Sequence, residues 1–225
     1  MLANRAFALF PVLYYTLEPL TVGWLLAYVA AKTRRTQYPL FLVVGLYAAL
    51  VLCIAAEYLM RFAQPNTLLY GTAVGLFFVA NLVFITIFLM EVRLHRRPFF
   101  FAGFWWLLPT GVGIMWLALQ LLWPGIDNVR VVIVLHAISF VVMALAAGAR
   151  WHAVSDGSFF SVIIGCILLA LGNLLYAVNA SIIPLPLGMF FNLATYYAGQ
   201  LCIVTGLLHE HASATNGDPN NLTNF

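Results

Sequence analysis

Residues Gly45 to Phe62 read GLYAALVLCIAAEYLMRF. The run is apolar enough to cross a bilayer, yet it carries a carboxylate, Glu57. An acid in hydrocarbon is costly, roughly 2.5–3.5 kcal/mol at a helix centre. Such a residue usually faces a polar cavity, a partner or a site. The plainer alternative is a pair with Arg61, one helical turn later and near the membrane edge. The polar residues elsewhere in the chain decide between the two.

Of 225 residues, 64% are hydrophobic and 8% are charged, against about a quarter charged in a soluble domain. Mean hydropathy is +0.99. An integral membrane protein follows, with any site built from helices inside the bilayer. The net charge of +3 is small, and the basic residues gather at segment ends, which argues against nucleic-acid binding. Cys53, Cys166 and Cys202 stand alone in apolar runs and read as packing residues; no disulfide, zinc or other metal is expected. The N-terminus lacks a basic region before its apolar run and a small-residue cleavage site, so it reads as a first span.

Seven apolar segments are long enough to span, near 6–31, 38–62, 67–90, 98–123, 129–149, 158–180 and 186–208. The expected fold is therefore an all-α membrane protein, a bundle of about seven transmembrane helices. Residues 1–208 form one helical domain, and 209–225 are expected to be a disordered cytoplasmic tail. Pro11 and Pro19 mark where the first span breaks, if it breaks. Lys32, Arg34, Arg35, Arg93, Arg96, Arg97 and Arg150 fall on one side, Arg5, Arg61 and Arg130 on the other. This bias predicts a cytoplasmic C-terminus and an outside N-terminus. The basic runs are read as topology signals, with anionic-lipid contact secondary.

At about 1.5 Å per residue, Glu57 lies roughly 8 Å from the outer end of its segment and Asn173 roughly 10 Å. Asn192 and His136 lie at similar depth, Glu18 nearer the midplane, Asn81 and Gln200 at or beyond it. Residues sharing a layer suit a polar cavity. Polar contacts that merely join helices, each worth about 0.6 kcal/mol, are the competing account of any single amide. Cys166, Ala170, Asn173 and Ala177 make a face of small residues around one amide, suited to close helix approach. Asn192, Tyr196 and Gln200 share a face of the last segment. Tyr196 and Tyr197 lie mid-span, where phenol hydroxyls want partners.

An internal repeat is also legible. Phe77-Phe78-Val79-Ala80-Asn81-Leu82 parallels Tyr196-Tyr197-Ala198-Gly199-Gln200-Leu201, and each follows a segment with a late polar residue, Glu57 or Asn173. The offsets are 116 residues for Glu57 and Asn173 and 119 for the longer motif. Segments related in this way cross in the same direction, as in parallel-repeat membrane proteins.

These stretches resemble the YhhN-like lysoplasmalogenase family of small multi-pass membrane proteins. The matching pieces are Glu18-Pro19-Leu20-Thr21, Ala49 to Met60, Gly75 to Phe84, Gly165 to Asn179 and Ala194 to Val204. The resemblance implies an eight-helix bundle; with 17 residues before Glu18, the usual first helix is expected to be missing here. Family members typically carry Lys-Pro at Glu18-Pro19, Gly-Asp at Ala56-Glu57, often Ser-Asp at Gly172-Asn173, and His at Asn81. Glu57 thus keeps a carboxylate, Asn173 replaces an acid with an amide, and Glu18 reverses a charge.

The resemblance implies hydrolysis of the vinyl ether of lysoplasmalogens to a fatty aldehyde and a glycerophospho-alcohol. Vinyl ethers hydrolyse by protonation on carbon, giving an oxocarbenium ion that water captures. The reaction needs a carboxylic acid still protonated near neutral pH and a negative or dipolar group to steady the cation. The roles expected are Glu57 as general acid, Asn173 to orient water and Glu18 as second carboxylate. Asn81, His136, Asn192, Tyr196 and Gln200 would line the substrate cavity. No cofactor is expected, and the partner is a membrane lipid or lysophospholipid. The alternative is a catalytically impaired relative that binds or moves an amphipathic lipid. A retinal protein is disfavoured because Lys32, the sole lysine, lies in a loop. A metal hydrolase is disfavoured because His136 is alone in its segment, while His95, His152, His209 and His211 sit at the cytoplasmic edge as solvated or headgroup-facing residues.

Overall fold

In lipid a backbone must satisfy its own hydrogen bonds, so each apolar run closes into a helix. The computed structural model describes residues 21–34, 38–63, 67–94, 107–123, 127–181 and 187–215. Helix α1 covers residues 21–33, α2 Leu40–Phe62, α3 Leu68–Leu94, α4 Leu107–Leu122, α5 Arg130–Gly148, α6 Asp156–Ser181 and α7 Gly188–Thr215. A 3₁₀ turn, Asp127–Val129, leads into α5. The described residues contain no strand. The protein is a multi-pass all-α membrane bundle. Helices α2, α3, α5 and α6 are each long and apolar enough to cross a bilayer, with mean hydropathy between 2.3 and 2.5. Helix α7 is longer, but Asn192, Tyr196, Tyr197 and Gln200 dilute it.

Glu18, Pro11 and Pro19 fall outside the described residues, so the start of the first span is not described. At the other end α7 continues through His209–Thr215, where a disordered tail is expected. Tertiary bonds anchor this extension. Glu210 Oε2 accepts from the Ser155 amide at 2.8 Å and its hydroxyl at 2.7 Å, just ahead of the first turn of α6, where a carboxylate suits the helix dipole.

Helices α2 and α3 form one antiparallel hairpin, α6 and α7 another. In the second the backbones nearly touch. A Cβ added at Gly165 would lie 2.6 Å from Ile203 Cγ1 and 2.7 Å from the Gly199 carbonyl oxygen. One at Gly199 would lie 2.8 Å from both the Gly165 oxygen and the Leu169 nitrogen. Ser161 Oγ donates to the Cys202 carbonyl and Ser158 Oγ to that of Gly206, each at 2.8 Å. Close approach is thus carried by Gly165 and Gly172, one residue round from the small face expected around Asn173. That leaves the Asn173 amide free to face a cavity. Gly165→Val should cost about 3 kcal/mol, the upper part of the range for an overpacked core, because backbone blocks the new atoms. Thermal unfolding in detergent checks this; Gly23→Ala, which meets nothing within 4 Å, should unfold as the parent does.

The main core joins α1, α2, α3, α5, α6 and α7 around Leu46, Leu50, Phe84, Phe88, Met143 and Ile203. A smaller cluster of Tyr70, Val74, Leu119, Val129 and Ile133 closes the other end. Along α3 one stripe visits everything in turn: Tyr70 and Val74 in the small cluster, Phe77 and Asn81 at cavities, Phe84 and Phe88 in the core, then buried Glu91. The steps alternate between four and three residues, which keeps them on one side of a helix. The α7 positions 119 residues on are Tyr196, Gln200, Ile203, Leu207 and Glu210. They follow the same order, so the repeat extends well beyond the six residues that reveal it.

Candidate functional site

Between the two clusters lies a polar layer. Glu57, near the end of α2, is 7% exposed. Its Oε2 accepts a hydrogen bond from the Tyr197 hydroxyl of α7 at 3.0 Å, a contact between residues 140 apart in sequence. On the neighbouring turn, Gln200 Nε2 donates to Tyr196 Oη at 2.7 Å, and the Tyr196 hydroxyl also meets the Cys53 thiol. Both mid-span phenols therefore find polar partners.

A second chain of bonds runs through α3, α5 and α6. Asn81 Nδ2 donates to Ser139 Oγ at 2.8 Å, and Ser139 donates to the His136 carbonyl at 2.6 Å. Asn173 Nδ2 donates to the Leu169 carbonyl at 2.9 Å. Only nitrogen can donate there, so Asn173 Oδ1 is the atom facing His136 Nε2, at 3.4 Å. The imidazole of His136 is set edge-to-face on Phe140 with centroids 4.8 Å apart, and Phe77 lies 6.2 Å away on another side.

These groups bound two adjoining cavities. One, of about 10 Å³, touches Cys53, Asn81, His136, Asn173, Tyr196 and Gln200. The other, of about 50 Å³, touches Glu57, Met60, Tyr176, Asn173, Asn192 and Tyr196. Phe77, Asn173 and Tyr196 belong to the walls of both. Of the residues singled out from sequence, Glu57, Asn81, His136, Asn173, Asn192, Tyr196 and Gln200 are therefore brought together, while Glu18 lies outside the described residues. The smaller cavity matches one water, which needs roughly 10–15 Å³. Neither approaches the roughly 300 Å³ of a drug-sized pocket.

Sequence reasoning gave no site role to Tyr197, Ser139, Cys53 or Phe77. Ser139 sits one helical turn from His136, a spacing that could have flagged it. Tyr197 differs from Phe78, its counterpart in the repeat, by the very hydroxyl that grips Glu57. The acid belongs to the first half of the repeat and the phenol to the second, so their bond crosses between the halves, while their counterparts, Asn173 and Phe78, are an amide and a plain ring.

A separate polar cluster lies at the opposite end of α3. Arg150 and Glu91 are both fully buried. Arg150 Nε donates to Glu91 Oε2 at 2.7 Å, and its Nη2 donates to Ser158 Oγ at 2.8 Å. His211 Nε2 lies 3.1 Å from Glu91 Oε1. Arg150, counted from sequence among the charges that set orientation, is held inside the bundle by Glu91 and Ser158. One expectation is corrected here. His211 is no solvated edge residue, because the extension of α7 carries it onto a buried carboxylate. No group of three metal-ligating side chains occurs among the described residues.

No curated protein and no solved structure matches the chain. A family model does, over residues 13–207. That span takes in both hairpins and every described residue around the two cavities, so the bundle and its buried polar layer are those of a member of the YhhN family.

Proposed function

We propose that this chain hydrolyses the vinyl ether bond of lysoplasmalogens by acid catalysis inside the bilayer. The seating of Glu57 carries the reading: a buried carboxyl aimed by Tyr197 at the wall of a cavity, with a second polar cavity behind it. Glu57 protonates the vinyl carbon remote from oxygen. The carboxylate left behind, with the ring faces of Phe77 and Tyr196, steadies the oxocarbenium ion. Asn173 takes a different role from the one its sequence position suggests. Its amide is engaged by Leu169 and His136, so it orients the imidazole rather than water.

A whole lysolipid exceeds both cavities, and only the reacting bond has to enter. Met60, Tyr176 and Asn192, partly exposed on the larger cavity, form the side at which the tail arrives between helices. Met60, unbranched and adaptable, suits a wall that must yield. The amide at Asn173, where the family resemblance implies an acid, favours the second reading, a lipid binder without proton chemistry.

Purified protein supplied with a lysoplasmalogen should release free aldehyde, read with an aldehyde-trapping reagent. Absence of turnover, with lipid co-purifying on the protein, would remove the enzyme and leave the binder.

A further inference from the structure

The smaller cavity holds two acceptors that no protein donor reaches. Because Asn173 presents oxygen to His136 Nε2, that nitrogen carries the ring proton, and Nδ1 is left with its lone pair. Nδ1 is buried with no hydrogen-bond partner. Gln200 spends its amide nitrogen on Tyr196, and its Oε1 is likewise buried without a partner. Gln200 is 0% exposed, and both residues line the same cavity of about 10 Å³. Two acceptors cannot satisfy each other. They call for a small species with two donors, and the space admits one water.

Resting on the proposed vinyl ether hydrolysis, the geometry points to His136 and Gln200 as the pair that holds the hydrolytic water, with His136 as its base. A water donating both protons, to His136 Nδ1 and Gln200 Oε1, turns its own lone pairs toward the remaining walls. Phe77, Asn173 and Tyr196 line both cavities, so the oxocarbenium carbon forms where the two adjoin and within reach of this water. The oxygen attacks this carbon, a C–O bond forms, and one water proton passes to Nδ1. In the resulting hemiacetal the C–O bond to glycerol breaks as the hydroxyl gives up its proton and the glycerol oxygen takes one up, leaving aldehyde and alcohol. Glu57 has then lost one proton and His136 has gained one, and exchange with solvent resets both. Acid and base thus line different but adjoining cavities. Phe77 and Phe140 fix the imidazole plane, so the lone pair keeps its aim.

His136→Gln is the informative substitution. A glutamine amide reaches the Nε2 position and keeps the bond to Asn173, but it has nothing at Nδ1. With lysoplasmalogen as substrate, kcat should fall roughly 10²-fold or more while KM holds. In wild-type full-length protein in nanodiscs, ¹⁵N spectra of labelled histidine should show His136 as the neutral Nε2–H tautomer. High-resolution density should show a water within hydrogen-bond distance of Nδ1 and Gln200 Oε1. An Nδ1–H tautomer, no such density, or unchanged kcat in His136→Gln overturns the assignment while wild-type turnover leaves Glu57 in place. If wild type releases no aldehyde, the hydrolytic role falls together with the proposed function. Should the variant fail to fold, the wild-type spectrum and density decide alone.

Discussion

Glu57→Gln should lower lysoplasmalogen turnover by about 10²–10⁴-fold, the range for loss of a general acid, while the bundle stays folded. The substitution is nearly isosteric. Glutamine places an oxygen where Glu57 Oε2 now accepts from Tyr197 at 3.0 Å, so the link between α2 and α7 is kept. What disappears is the transferable proton. Carbon protonation is the slow step of vinyl ether hydrolysis, so no other single atom should matter as much to rate. Aldehyde release measures the loss, and circular dichroism with thermal unfolding confirms the fold. Near-normal turnover in a folded Glu57→Gln protein would remove the acid from the mechanism.

Arg150→Ala should have the largest effect on stability, about 3–5 kcal/mol, the range for breaking a buried ion pair from one side. Arg150 and Glu91 are both 0% exposed. Without the guanidinium, Glu91 loses its bond to Nε and keeps His211, at 3.1 Å. Ser158 loses the donor at its oxygen, and the guanidinium's position 5.6 Å from the Phe88 ring is vacated. The cost comes mostly from leaving a buried carboxylate without its guanidinium, not from lost attraction, so a second substitution should reveal it. Arg150→Met combined with Glu91→Leu should lie much nearer the parent, since replacing a whole buried pair with apolar groups is often neutral. Thermal midpoints of the parent, Arg150→Met, Glu91→Leu and the double variant in one detergent give the coupling. If the double variant is as unstable as Arg150→Ala, the pair contributes through attraction and packing instead.

The glycines connect these effects to the repeat. Gly172 stands where a Cβ would meet Tyr196 N and Thr195 Oγ1, each at 3.0 Å. Its lack of a side chain draws α7 against α6. That approach brings Tyr196 and Gln200 onto the cavity that Asn173 and His136 share. Architecture and polar layer are therefore products of the same close contact.

The order of the helices, and nearly the extents of α2, α3, α5 and α6, were legible in the residues themselves. Long apolar runs have no other way to satisfy their backbone in lipid, and prolines and charges mark where they stop. The polar positions were legible too, because side chains three and four residues apart share a helix face. Facing and partnership were not. A helix that is apolar nearly all round gives little sign of which side turns inward, and the bonds that matter join distant segments: Tyr197 to Glu57, Arg150 to Glu91, His211 to Glu91. Arg150 and His211 look like edge charges in a linear string because a short turn and a helix extension, both visible only in three dimensions, bring them onto Glu91. Local sequence determined what each segment is, through length and hydropathy. Which side chains meet was decided only when glycine contacts set how closely and at what angle the segments pack.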